Sequence, residues 1–304
     1  MVMAESFCRV GEIEICYETF GDPGNPAILM IMGLGTQMLA WHEDFCEQLA
    51  DRGFFVIRHD NRDIGRSTRL DGAPTPSLLQ LARRDKRAAA YTLADMAGDS
   101  VGVLDHLGIE RAHVVGASMG GMIAQTIAIR YPHRTLSMVS IMSNTGSFWK
   151  GQPALTMYAV LLRPAPHDRS AFIQRAVDTF TKIGGSGFEP NIEDLHDIAS
   201  RSYDRGHDPK GSSRQLGAII ADRDRSPQLA KLRMPVTVIH GSEDKLVRKS
   251  GGRATARAIP GAKLVEIPGM GHGLPRGAWP AIIDAIVANA ERASPAERSP
   301  ARSG

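Results

Sequence analysis

The residues of this chain best suited to chemistry are a serine, a late histidine and the acids between them. Ser118 lies in Gly116-Ala-Ser-Met-Gly120, after a short apolar run at 112–115 that reads as a buried strand and before a helical stretch at 119–131. A serine on so sharp a strand-to-helix turn is held in a strained backbone conformation that lifts its hydroxyl above the sheet edge. The residues two before and two after it are then crowded together, which suits Gly116 and Gly120 because neither carries a side chain. The helix starts directly behind the serine, so its first amides face the place where an anionic oxygen would form. An ordinary turn with Ser118 as helix N-cap is the alternative. The flanking strand and long apolar helix are the context that a nucleophile needs.

A serine hydroxyl attacks poorly until a base takes its proton, and the base must be kept in the right tautomer by a carboxylate. Behind a nucleophile on this kind of turn the chain order is serine, acid, histidine. The strand expected at 236–240 leads into Gly241-Ser-Glu-Asp244, and the next, at 263–267, leads into Pro268-Gly-Met-Gly-His272. His272 is the only histidine after Asp244, so it is the candidate base. Asp244 is preferred to Glu243 as its partner, because adjacent loop residues point differently and the shorter chain suits a rigid orienting bond. A surface turn acid and a surface loop histidine are the alternatives, each weaker once both residues fall at strand ends downstream of Ser118. Two backbone N–H groups are expected to receive the oxyanion, those of Met119 and of Leu34, the latter in the Gly33-Leu34-Gly35 loop after the first parallel strand. Other histidines have weaker claims: His59, His113 and His240 fall in or beside core strands, and His167, His196 and His207 read as surface residues. None has a zinc-ligand spacing.

These residues need a frame, and the chain supplies one. Alternation near residues 8–20 predicts an antiparallel hairpin at a sheet edge. Strands are expected at 27–32, 54–58, 112–115, 136–142, 236–240 and 263–267, with helices at 38–49, 92–107, 119–131, 252–258 and 279–292. Strand and helix in alternation specify a parallel sheet with right-handed crossovers, whose sites lie at the carboxyl ends of the strands. Residues 144–227 break the alternation with apolar helical patches separated by Gly- and Pro-rich joints. The expected organisation is therefore a core of 1–144 and 228–293, a helical cap insertion at 145–227, and a disordered polar tail at 294–304.

Bulk properties exclude other classes. The chain of 304 residues is 42% hydrophobic and 23% charged, ordinary for a globular protein with a sizeable core. A formal net charge of +3 is too mild for nucleic-acid binding. Cys8, Cys16 and Cys46 are odd in number and follow no metal or nucleophile pattern, so buried reduced thiols are expected. No signal peptide and no membrane span is expected, which makes the cytoplasm the default location. The basic run Arg83, Arg84, Lys86 and Arg87 reads as a solvated face; a weak peripheral attraction to anionic lipid head groups is the alternative.

Taken together, these residues resemble the α/β-hydrolase superfamily across nearly the whole chain outside the insertion and tail. Gly-Asp-Pro-x-x-Pro from Gly21, Met-Gly-Leu from Met32, Asp60-Asn-Arg-Asp-Ile-Gly-Arg-Ser67 and Ile267-Pro-Gly-Met-Gly-His272 look most like the branch holding aclacinomycin methylesterase and actinobacterial lipase/esterases. The resemblance implies a Ser118–His272–Asp244 triad, an oxyanion hole at Leu34 and Met119, and a cap that bears specificity. Two departures stand out: Met32 replaces the histidine usual before the oxyanion glycine, and Asp63 replaces a common glycine. The resulting expectation is a cofactor-independent, metal-free serine hydrolase of carboxylic esters, acting on a small-molecule ester with an apolar acyl group. Phe148, Trp149, Met157 and Leu161 are candidates for the acyl pocket wall, with internal packing of the cap as the alternative. Thioesterase, phospholipase, cofactor-free peroxidase and small-molecule receptor functions use the same fold and are the rival expectations.

Overall fold

In the computed structural model, which describes residues 5–83, 85–157 and 166–293, eight strands form one sheet. The strands are β1 (Ser6–Val10), β2 (Ile13–Phe20), β3 (Ala27–Ile31), β4 (Phe55–His59), β5 (Ala112–Ala117), β6 (Thr135–Ile141), β7 (Val236–Gly241) and β8 (Lys263–Ile267). Their spatial order is β1-β2-β4-β3-β5-β6-β7-β8, antiparallel at the β1/β2 and β2/β4 pairs and parallel from β4 onward. Strands β3 to β7 are buried along their whole length, as continuous apolar runs require when helices cover both faces. Alternate residues serve opposite cores: Ile28 and Met30 pack with the helices α1 (Glu43–Asp51) and α10 (Trp279–Glu291), whereas Leu29 and Ile31 pack with α3 (Leu93–His106) and α4 (Met119–Arg130).

The strand order decides which loops can meet. β3 lies between β4 and β5, so the chain turns one way from β3 and later returns on its other side. The crevice at such a switch point lies outside the carboxyl ends of the two neighbouring strands. Here those ends are Ile31, which pairs with Gly116, and the turn at Ser118. The Gly33–Gly35 loop and the serine are neighbours by topology.

The expected helix at 38–49 is divided. A short 3-10 turn at Met38–Ala40 is followed by α1, with Trp41 and His42 between them. Side chains from the core claim the backbone at the break: Asp60 Oδ1 accepts from Met38 N at 2.8 Å, and the Arg58 guanidinium donates to the Trp41 carbonyl. His42 then caps α1, its Nδ1 accepting from Asp44 N. Residues 68–91, which carry little pattern, include the short α2 (Leu78–Ala82) behind a Ser77–Gln80 capping box.

Between β6 and β7 lie the helices α5 (Arg169–Ile183), α6 (Ile192–Arg205), α7 (Pro209–Ala221) and α8 (Ser226–Leu229); α9 (Ser250–Ala258) follows β7. Arginines tie α6 and α7 to the core. Arg205 of α6 meets Asp60 at 2.8 Å, Arg214 of α7 meets Asp63 at 2.7 Å, and Arg201 of α6 meets Glu43 at 2.6 Å. Arg214 and Asp63 are both fully buried, so removing either partner would leave an uncompensated charge, a loss of about 3–5 kcal/mol. Asp63, at a position where a glycine is common, keeps the left-handed backbone (φ 68°) and adds this carboxylate.

His272 follows β8, three strand positions from β5. At about 4.8 Å per strand this is roughly 14 Å, so the loop 268–272 must lean back across β7 and β6. A strap from the end of α5 holds it there: His272 N donates to Ile183 O and Gly271 N to Gly184 O, each at 2.7 Å, and Gly187 N donates to Gly269 O at 3.0 Å. The approach is so close that a β-carbon on Gly271 would stand 2.0 Å from the Ile183 carbonyl oxygen, and one on Gly185 2.3 Å from that of Gly269. Val160, Leu161, Leu162, Arg84 and the tail 294–304 lie outside the described residues.

Two measurements follow from this frame. Burial alone would raise the Glu43 carboxyl, but the Arg201 hydrogen bond and the Arg58 charge outweigh it and hold the group at about 2. A carboxyl depressed in the folded state stabilises above its unfolded value of about 4.3 and loses that contribution as pH falls toward the folded value. Melting curves of the parent and Glu43→Gln should therefore differ most above pH 5 and converge toward pH 2; a constant gap across that range would contradict the assignment. Gly271→Ala is expected to lower Tm by several degrees. Gly273→Ala, whose methyl group meets nothing within 4 Å, should leave it unchanged, and equal melting of the two variants would remove the strap's role.

Candidate active site

Ser118 adopts φ 56° and ψ −119°, one of three positive-φ residues other than glycine among those described. Neighbouring backbone forces the conformation. Ser118 N donates to Ile141 O of β6 at 2.9 Å, and α4 begins at the very next residue. A β-carbon on Gly116 would lie 2.0 Å from Gly120 O, and one on Gly120 2.0 Å from Ile31 O. Only glycine lets α4 run this close to β5 and β3. Ser118 makes no side-chain capping bond to α4, in contrast to the N-cap alternative; its Oγ lies 3.0 Å from His272 Nε2.

The imidazole in turn meets Asp244, Nδ1 to Oδ2 at 2.7 Å. A carboxylate can only accept, so Nδ1 carries a proton, and the corresponding neutral tautomer presents its Nε2 lone pair to the serine hydroxyl. The Asp244 side chain is fully buried, and its other oxygen accepts from Leu246 N at 2.9 Å and Val247 N at 2.8 Å. That turn is held from beneath by His240, whose Nε2–H donates to Val247 O at 2.7 Å. Burial pushes the His240 pKa down, keeping the ring neutral 3.6 Å from the same carboxylate. Glu243 points elsewhere. Its carboxylate accepts from Ser186 N and Ser186 Oγ, both at 2.9 Å, and so fastens the glycine strap to the acid loop.

Across the serine from the imidazole lies the Gly33–Gly35 loop. A β-carbon on Gly33 would stand 3.0 Å from Ser118 Cβ and 3.5 Å from Oγ, so Gly33, the residue before Leu34, borders the serine side chain. Met119 is the first residue of α4, and its N–H is one of those that helix geometry leaves without an intrahelical acceptor. In place of the missing histidine at position 32, Asn61 Nδ2 donates to Met32 O at 2.9 Å and supports the loop from below.

Other groups fall away from this site. Burial raises the thiols of Cys8 to about 11 and of Cys16 and Cys46 to about 12, and all three are free and buried. His59 and His113 pair with Ser100 and Ser137 in the core. His207, expected on the surface, is half-buried, stacked on Tyr203 and bonded to Pro166 O. Among the expected pocket-wall residues Met157 is buried, but Phe148 and Trp149 are 57% and 81% exposed and meet each other edge to face. That exposure does not suit an acyl pocket wall. In the basic run Arg83 is exposed and Arg87 pairs with Asp85. No described helix is long and apolar enough to cross a membrane, and no described group of three or more His, Cys, Asp or Glu residues could hold a metal ion.

Sequence and fold comparisons agree with this architecture. The profile of the alpha/beta hydrolase fold family matches residues 26–275. The rhodomycin D methylesterase DauP of Streptomyces sp. (strain C5) is 29% identical over 93% of this chain and 97% of its own, and the 3-oxoadipate enol-lactonase 2 of Acinetobacter baylyi is 28% identical over 80% of each. Among solved structures, the 2-hydroxy-6-oxo-6-phenylhexa-2,4-dienoate hydrolase of Rhodococcus sp. strain RHA1 superposes with a TM-score of 0.75 at 20% identity, covering 95% of this chain and 98% of that one. Eight strands in this order, a serine on the turn after β5 and a match over most of the length have one reading: the chain belongs to the α/β-hydrolase family.

Proposed function

We propose that the chain is a serine hydrolase that cleaves carboxylic esters through an acyl-enzyme, without cofactor or metal. His272 takes the proton of Ser118 as Oγ attacks the ester carbonyl. Asp244 holds the imidazole and stabilises the imidazolium that forms. The tetrahedral oxyanion is received by the N–H groups of Leu34 and Met119. His272 then returns its proton to the departing alcohol, and the C–O bond breaks to leave the acyl group on Ser118. Water, deprotonated by the same imidazole, attacks that carbonyl, and the acid leaves as Ser118 recovers its proton. The observation that carries the reading is the unbroken line from hydroxyl to imidazole to carboxylate, at 3.0 and 2.7 Å, with the glycine loop at Gly33 packed against the serine.

Both relatives are named for cleaving an ester or lactone, and the methylesterase aligns almost end to end. This supports esters over thioesters as the substrate class, and methyl esters as the first group to assay. The two oxyanion donors are backbone groups, so the side chains are the ones to test. Ser118→Ala should abolish hydrolysis of short p-nitrophenyl esters while Tm stays within a few degrees; retained turnover would remove the serine from the reaction. Asp244→Asn should cost far more in kcat than Glu243→Gln, and the reverse ranking would transfer the orienting role to Glu243.

A further inference from the structure

We infer that Gln215, on the inserted helix α7, is a positioning residue for the oxyanion hole. This inference rests on the reading of Leu34 N–H as an oxyanion donor. The donor stands between two glycines, Gly33 and Gly35, and Gly35 is in the left-handed region at φ 65°. Two glycines give such a segment wide backbone freedom, yet an oxyanion donor contributes only when fixed in advance. The flanking peptides must therefore be held by something else.

They are held on each side. The Met32–Gly33 peptide is fixed by Asn61 at the Met32 carbonyl. The Leu34–Gly35 peptide is held at both of its polar groups: Thr36 Oγ1 donates to Leu34 O at 3.1 Å, and Gly35 N donates to Gln215 Oε1 at 2.9 Å. Thr36 N also closes a turn onto Gly33 O at 3.3 Å. The peptide bearing Leu34 N–H is thus suspended between two pinned neighbours, and one of the pins comes from the insertion.

Gln215 is built for the task. It is fully buried, and its amide spans from Gly35 N–H to the carbonyl of Arg62, to which Nε2 donates at 2.9 Å. Gly35 N–H can only donate and the Arg62 carbonyl can only accept, so the amide has one orientation. The far anchor is rigid in turn, because the Arg62 guanidinium is paired with Asp99 through two bonds of 2.6 Å. One residue earlier on α7, Arg214 is locked to Asp63. A β-carbon on Gly35 would stand 2.9 Å from Ser212 Oγ, so the first turns of α7 lie directly over the loop. The insertion therefore acts on the chemical step as well as on what the pocket admits.

The test is steady-state kinetics of the full chain on p-nitrophenyl acetate. Gln215→Met should lower kcat by roughly ten- to a hundredfold with KM nearly unchanged, part of the ~10²–10³ that loss of an oxyanion donor costs. The Ki of a trifluoromethyl ketone, whose adduct carries the oxyanion, should rise by the same factor as kcat/KM falls. Arg201→Met, which cuts the insertion from Glu43 away from this loop, should retain the parent kcat. An unchanged kcat in Gln215→Met, or an equal loss in Arg201→Met, would overturn the inference; in the second case the loss reflects a loosened insertion. Should Gln215→Met fail to fold, Thr36→Val releases the same peptide from its other end and must show the same kcat-only loss, or the inference fails. If the parent itself turns over no ester, the hydrolase reading falls first and on separate grounds.

Discussion

A positive φ at Ser118 is the constraint on which everything else in this structure depends. A non-glycine residue held outside the common regions costs of order 1–3 kcal/mol, and it persists only when its surroundings leave no alternative. Here they leave none. The amide is tied to β6, α4 starts at once, and the glycines on either side let three backbones close to distances that no β-carbon would allow. The strain lifts the hydroxyl off the sheet edge and aims it at a histidine that belongs to a strand three positions away.

Distance is the second constraint, and the insertion meets it. A loop leaning back over two strands has no sheet partner to hold it, so backbone from the end of α5 supplies the missing bonds. Ser186 of the same segment donates to Glu243, and α7 reaches the opposite loop through Gln215. Buried arginines on α6 and α7 fix these helices to Asp60 and Asp63. Burying such pairs stabilises little in itself, but each demands one geometry of the insertion on the core. The helices between β6 and β7 thus frame both the imidazole and the Gly33–Gly35 loop.

Much of this was legible in the sequence because it is local. Strand β8 falls at the expected residues 263–267, and the serine turn, the histidine and the acid follow from chain order and apolar periodicity. The preference for Asp244 over Glu243 rested on side-chain length; what separates them in space is the Leu246–Val247 turn on one and Ser186 on the other. The divided helix at 38–49 was hidden, since its apolar spacing is continuous and the groups that break it, Arg58 and Asp60, come from another strand. Gln215, Asn61 and the glycines of the strap were equally silent, because their partners lie far along the chain and a glutamine in a helix carries no signal of its own. Met32 and Asp63 read as departures from the family pattern. Each is answered by a distant partner, Asn61 near the first and Arg214 at the second.

Reaction with a fluorophosphonate, followed by intact-mass and peptide mapping, tests most directly whether the hydroxyl at 118 is activated by the imidazole at 272. The account predicts a single adduct on the peptide containing Ser118, formed rapidly in the parent and lost in His272→Ala. An adduct on another residue, or equal labelling with and without His272, would contradict it.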